Sequence, residues 1–180
     1  MNAQTSTRPP QALHWQCLPF ERLSVHSLYG ILQLRSEVFV VEQACVFQDM
    51  DGADAACHHL LGTDATALPG LAGGVESADS ADPMPPRPLL AYARLVPAGL
   101  KYAEASIGRV VTSPAARGRA LGHALMAQAC RQLVGLWGAQ PIRIGAQAHL
   151  QAFYGQHGFV TDSPPYMEDG IPHVEMLRPA

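Results

Sequence analysis

The residues best placed for chemistry lie in Ile107–Gly122, IGRVVTSPAARGRALG. A β-branched run, Ile107 to Thr112, reads as a strand and meets a turn at Ser113–Pro114. Arg117-Gly118-Arg119-Ala120-Leu121-Gly122 then opens a long amphipathic helix. The first turn of a helix presents N–H groups without intrahelical acceptors, and the peptide dipoles add roughly half a positive charge there. Gly118 and Gly122 place no side chain in the path of a phosphate. Arg117 and Arg119 bring full charges that fork onto phosphate oxygens. The pattern fits a nucleotide-like pyrophosphate.

Composition sets the frame around this turn. The 180 residues are 48% hydrophobic and 15% charged, which is the composition of a folded chain with a core rather than of a disordered one. A net charge of −3 argues against a general nucleic-acid binder, which needs many cationic phosphate contacts. Cys17, Cys45, Cys57 and Cys130 form no CxxC pair and no zinc-ligand spacing. In Cys57-His58-His59, neighbours on a strand point to opposite faces, so no metal site is expected. The opening MNAQTSTRPPQ lacks the apolar core of a signal peptide, and no apolar run approaches the length that spans a membrane. The expected setting is the cytoplasm, with reduced thiols and no membrane contact.

The elements that must position the turn follow from periodicity. Residues 1–12 read as a loose tail, and 13–180 as one domain. Leu13, Trp15 and Cys17 alternate with His14 and Gln16 as a half-buried strand. Ser24 caps a helix expected to run toward Val41. Asp49–Asp54, DMDGAD, reads as a solvated turn; with Leu60 in place of the closing glutamate it is not a calcium loop. Strands are expected at His58–Gly62 and Pro88–Val96, separated by a flexible insertion at 63–87. After the Ile107 strand, Leu121, Leu125, Ala129 and Leu133 repeat every four residues until Gly138. A strand at Ile142–Gln147, a helix at Ala148–His157 and strands at Phe159–Val160 and Pro172–Leu177 complete the chain. The result is a mixed α/β or α+β sheet with helices on its faces.

Residues 107–159 resemble the GCN5-related N-acetyltransferase (GNAT) superfamily. Arg117-x-x-Ala120-x-Gly122 stands in the place of that family's pyrophosphate motif, Arg/Gln-x-x-Gly-x-Gly/Ala. Tyr154, four residues before Gly158-Phe159, matches its second hallmark. The segments Leu34–Gln43, Asp49–Gly52, Ile107–Val110, Gly145–Gln151 and Glu168–His173 resemble the narrower ElaA-like branch. The resemblance implies a mostly antiparallel twisted sheet of six to seven strands with about four helices. It implies acetyl-CoA as co-substrate, no metal, and a small-molecule or peptide primary amine as acceptor; a homodimer is left open. Ala120 departs from the motif's central glycine. With a helical backbone at that position the alanine would cost nothing and would favour the helix.

The resemblance also assigns roles. Backbone groups of Val110, Val111 and Thr112 pair with the pantetheine arm, and an N–H there polarises the thioester carbonyl, worth roughly 3 kcal/mol. Main-chain N–H groups of Arg117, Gly118, Arg119, Ala120, Leu121 and Gly122 hold the pyrophosphate. Gln147 stands where relatives place an asparagine beside the pantetheine. Tyr154 stands where the family protonates the departing thiolate; with a phenol near about 10 against a thiol near about 8.5, its expected part is to donate a hydrogen bond, with proton transfer completed as charge builds. An ordinary lysine-like amine is under about 0.1% neutral at pH 7, so a base is needed. The candidates are Glu42, Asp51, His149, Glu168 and His173. Glu42 ends the apolar run Val38–Val41, where burial would raise its pKa, and His149 lies where a helix dipole disfavours imidazolium. Asp51, Asp54, Glu168 and Asp169 suggest an acidic mouth for a cationic amine, while Arg35 and Arg109 read as internal ion-pair partners. Two other readings are an acyl-homoserine-lactone-synthase-like acyltransferase and a non-catalytic acyl-CoA sensor.

Overall fold

The computed structural model describes residues 13–65 and 88–180. The expected tail at 1–12 and nearly all of the insertion expected at 63–87 lie outside the described residues. The strands are β1 (Leu13–Pro19), β2 (His58–Asp64), β3 (Leu89–Val96), β4 (Ala105–Thr112), β5 (Ile142–Gln147), β6 (Val160–Thr161), β7 (Tyr166–Glu168) and β8 (Ile171–Arg178). They form one sheet in the order β1-β2-β3-β4-β5-β8-β6, with β7 pairing β8. Every pairing is antiparallel except β4 with β5. The sheet thus has eight strands, one more than the upper expectation. The additional one is β7, three residues that carry too short a pattern to register as a strand.

Among the described residues three α-helices, against about four expected, accompany the sheet: α1 (Val25–Arg35), α2 (Leu121–Trp137) and α3 (Gln151–Gly155). Ser24 caps α1, its hydroxyl accepting from the Ser27 N–H at 3.0 Å. The helix expected to reach Val41 instead changes at Ser36 into a π-type segment, Ser36–Glu42. Its wider turns are visible in the Gln43 N–H to Val38 C=O and Cys45 N–H to Val40 C=O bonds, both 3.2 Å. The helix expected at Ala148–His157 is a 3₁₀ turn, Ala148–Leu150, followed by α3.

Alternation along β2 and β3 divides the core. Leu60, Ala91, Ala93 and Leu95 face α2, where Leu125, Met126, Ala129 and Leu133 are fully buried. Leu61 and Tyr92 face α1 and meet Ile31, Leu34 and Val38. A strand buried on both faces reads as continuous apolar sequence, and β3 (LLAYARLV) does so except for Arg94.

That arginine belongs to a buried ion network. Asp49 accepts from Arg35 Nε at 2.8 Å and from Arg109 Nε at 2.7 Å, and its carbonyl accepts from both guanidinium groups. Asp54 accepts from Arg35 and Arg94, both at 2.9 Å, and Asp51 grips Arg94 through two bonds of 2.7 and 2.8 Å. Segment 49–54, expected to be a solvated turn, is therefore the anchor between α1, β3 and β4. Its carboxylates point inward because three arginines wait there. The expectation that Arg35 and Arg109 form internal pairs matches this geometry.

Replacing Asp49, which is 2% exposed, with asparagine leaves Arg35 and Arg109 short of counter-charge. Asp49→Asn should destabilise the fold by about 3 kcal/mol or more, read as a lower urea midpoint. An unchanged midpoint would show that the network is dispensable.

Candidate active site

Strands β4 and β5 pair only at Ala105–Ile142 and Ser106–Arg143. Beyond these residues they part, so the β5-facing edge of β4 is left without a strand partner. Across the other edge, Arg94 opposes Gly108 and Tyr92 opposes Val111. One residue of β3 thus faces two of β4, Arg109 and Val110, which is a β-bulge. Arg109 takes a left-handed backbone there, with φ 51°, while its side chain is held by Asp49.

A cleft of about 520 Å³ fills the opening. Its floor comes from Ser106–Val110 on β4 and from Arg94 and Val96 on β3. Gly145, Gln147 and Tyr154 form one wall, with Glu168, Asp169 and His173 from the β7–β8 hairpin. Phe39 of the π-type segment, with Gln43, Cys45 and Phe47 after it, forms the other.

Tyr154 stands on α3 with 8% exposure, packed edge-on against Phe153 and Phe159. Burial pushes its phenol up to about 12, so it keeps its proton as a hydrogen-bond donor. His173 Nδ1 lies 2.9 Å from the Ile171 carbonyl. A carbonyl only accepts, so Nδ1 carries the proton and Nε2 keeps its lone pair. Gly145 is glycine for a steric reason: a Cβ would sit 3.0 Å from the Tyr102 hydroxyl and 3.2 Å from that of Tyr166.

The turn at 117–122 stands outside the cleft lining and is tied to its rim through Arg117, which bonds Glu42 next to the lining residue Gln43. Gly118 has φ 75°, and Ala120, the N-cap of α2, has φ 55° and ψ 21°. The condition under which alanine would cost nothing, a helical backbone at Ala120, is not met. The position is left-handed, which explains why the related motif carries glycine there, and alanine costs about 1 kcal/mol. No side chain caps α2. Its first bond runs from the Ala124 N–H to the Ala120 carbonyl at 3.3 Å, which leaves the amides of Leu121, Gly122 and His123 without intrahelical acceptors. A Cβ on Gly118 would meet nothing within 4 Å. The turn thus offers three backbone donors and room above Gly118.

The remaining expected residues divide. Val110 and Gln147 line the cleft, and Gln147 donates to Gln43 at 3.2 Å. Val111 and Thr112 pair with Tyr92 and Ala91 on β3. Leu121 is buried against Leu90 and Ala116, so its backbone alone serves the turn. Arg117 forks onto Glu42 at 2.8 and 2.9 Å. Glu42 is thereby at the phosphate turn and outside the cleft lining. The burial that was to raise its pKa is absent; the hydrogen bond from Arg117 lowers it instead. His149 is exposed on the 3₁₀ turn and also stands outside the cleft lining. Of the expected acidic mouth, Asp54 is turned into the arginine network. Asp51 reaches the cleft already gripped by Arg94, whose hydrogen bond holds its carboxyl far below the usual range. Glu168 and Asp169 remain. Sequence reasoning passed over Arg94, Tyr102, Ser106 and Tyr166; a lone arginine inside the apolar β3 run was the available signal.

Two outcomes test the turn. Ala120→Gly should stabilise the protein by about 0.5–1 kcal/mol, read in chemical denaturation. Glu42→Gln should tighten acetyl-CoA binding a few-fold in calorimetry by releasing Arg117; weaker binding would mean that the pair instead holds the turn in shape.

The acetyltransferase (GNAT) domain family matches residues 90–178. The chain is 39% identical to protein ElaA of Escherichia coli K12 over 168 residues, spanning 92% of this chain and 96% of that protein. The crystal structure of E. coli ElaA superimposes with a TM-score of 0.74 at 38% identity, over 93% of this chain and 99% of that one. An acyl-CoA N-acyltransferase from Pseudomonas aeruginosa does so with a TM-score of 0.77 at 41% identity, over 93% and 99% of the two chains.

Proposed function

The chain belongs to the GNAT acetyltransferase family, in its ElaA-like branch, and from that premise we propose that it transfers an acetyl group from acetyl-CoA to a primary amine by direct attack. Acyl transfer from an acyl-CoA comes with the family; the acetyl donor and the amine acceptor are our reading. One observation carries it. The parting of β4 from β5 opens a cleft that holds a buried tyrosine, and the Glu42–Arg117 pair ties its rim to the turn before the uncapped N-terminus of α2.

Acetyl-CoA supplies an acyl group activated as a thioester. Amides of Leu121, Gly122 and His123 hold its diphosphate, with Arg117 and Arg119 adding charge. The unpaired edge of β4 past Ser106 offers main-chain groups to the pantetheine arm, and an N–H beside Val110 polarises the carbonyl. Tyr154 donates a hydrogen bond to the departing sulfur. With its phenol near 12, full proton transfer to a thiolate of ordinary pKa about 8.5 is uphill by about 5 kcal/mol, so donation rather than transfer is its role. Glu42 and His149 stand outside the cleft, and the part of base passes to His173, whose Nε2 is free to accept the ammonium proton. A cytoplasmic setting belongs to the same reading. All four cysteines are unpaired, and among the described residues no helix is long and apolar enough to cross a membrane.

Tyr154→Phe should lower kcat at least ten-fold and leave the acetyl-CoA dissociation constant within two-fold. His173→Ala should lower kcat comparably, and its residual activity should climb with pH as the amine sheds its own proton. Wild-type turnover in both variants would refute these roles.

A further inference from the structure

We propose that the acceptor is a primary amine that also carries a carboxylate, a small amino acid-like zwitterion. This rests on the acyl-transfer reading above and names the class of its acceptor. The cleft is electrically two-sided. On one side four cations, Arg35, Arg94, Lys101 and Arg109, meet three carboxylates, Asp49, Asp51 and Asp54, which leaves one positive charge in excess. On the other side Glu168 and Asp169 have no cationic partner among the described residues, and the nearest hydroxyl to Glu168 is that of Tyr166 at 3.5 Å.

The positive side also holds an unclaimed donor. Arg94 is 2% exposed, and its two Nη atoms are taken by Asp51 and Asp54, but its Nε has no hydrogen-bond partner. Buried donors are almost always satisfied, so an orphan beside a cleft points to a missing acceptor. The register places room next to it. Gly108 opposes Arg94 across the ladder, and a Cβ on Gly108 would meet nothing within 4 Å. Ser106, one pair further along the same face opposite Val96, lines the cleft and makes no side-chain hydrogen bond among the described residues. Lys101 is the most exposed cation of the group, 42% exposed, and reaches Asp51 at 3.2 Å.

A carboxylate entering here would accept from Lys101 and Ser106, on the face where Gly108 leaves room beside the buried Arg94. The ammonium of the same molecule then faces Glu168, Asp169 and His173, beside the thioester. A plain diamine would set its second cation against the positive side and lose that match. A cleft of about 520 Å³, shared with the reactive end of the donor, holds a small molecule.

The test measures thiol release from acetyl-CoA with matched amines: lysine against cadaverine, and phenylalanine against phenethylamine. The carboxylated member of at least one pair should show kcat/KM at least ten-fold higher. Lys101→Gln should shrink that ratio three-fold or more, whereas a merely structural effect would lower both members alike. Ratios of one or below in both pairs, or a ratio untouched by Lys101→Gln, overturn the zwitterion assignment and leave acyl transfer standing. No release with any of the four amines, while calorimetry still registers acetyl-CoA, overturns the amine-transfer reading and this inference with it.

Discussion

The buried carboxylate of Asp49 is the constraint on which the site depends. One side chain bonds Arg35 of α1 and Arg109 of β4, and so fixes the helix to the strand that carries the bulge. A charge this deep is stabilising only while every partner stays in place. The network therefore defines a geometry more than it adds net stability. Asp54 illustrates the balance: burial opposes its ionisation, yet Arg35 and Arg94 together outweigh burial and lower its pKa. The sheet could be built with an apolar cluster at this position. What that cluster would not do is hold an arginine at positive φ in the middle of β4.

That backbone conformation links the network to the cleft. A left-handed arginine costs free energy that its hydrogen bonds to Asp49 offset. In return the bulge breaks the alternation of β4. Before it, Ser106 and Gly108 share a face with Val96 and Arg94; after it, Val111 and Tyr92 resume the pairing one residue out of step. The bulge falls in the part of β4 that has already left β5. The same conformation recurs at Ala120, where the chain must turn sharply to aim the first amides of α2 outward. Two left-handed residues, neither of them glycine, bracket the segment from the cleft floor to the phosphate turn.

Much of this was legible in the sequence because periodicity and punctuation agree. Leu121–Trp137 was set by its four-residue apolar repeat and by Gly138, which takes φ 81° at the C-cap. Strand β5 was legible from its bounding Pro141 and its alternation. What escaped notice depends on partners distant in the chain. Asp49–Asp54 looks like a solvated turn until Arg35, Arg94 and Arg109 are brought against it. Glu42 looks like a buried carboxylate until Arg117, 75 residues away, meets it at the surface. The left-handed backbone at Ala120 was hidden because alanine next to a helix suggests helix. His173 was a candidate among five, and only the hydrogen bond to Ile171 distinguishes its free nitrogen.

The end of the π-type segment connects both parts of the site. Glu42 holds Arg117 at the phosphate turn, and the adjacent Gln43 holds Gln147 on β5, so one short stretch closes over the donor end of the cleft from two sides. Neither contact is deep. The Glu42 and Arg117 side chains are 42% and 44% exposed, and pairs in such surroundings contribute little because water and salt compete for them. On the proposed function, a diphosphate would compete with Glu42 for Arg117, since it carries more charge than a carboxylate and would meet amides as well as the guanidinium. On that reading the two contacts are placeholders for the donor. They hold Arg117 and Gln147 in place from adjacent residues at the end of an irregular helix, Glu42 and Gln43.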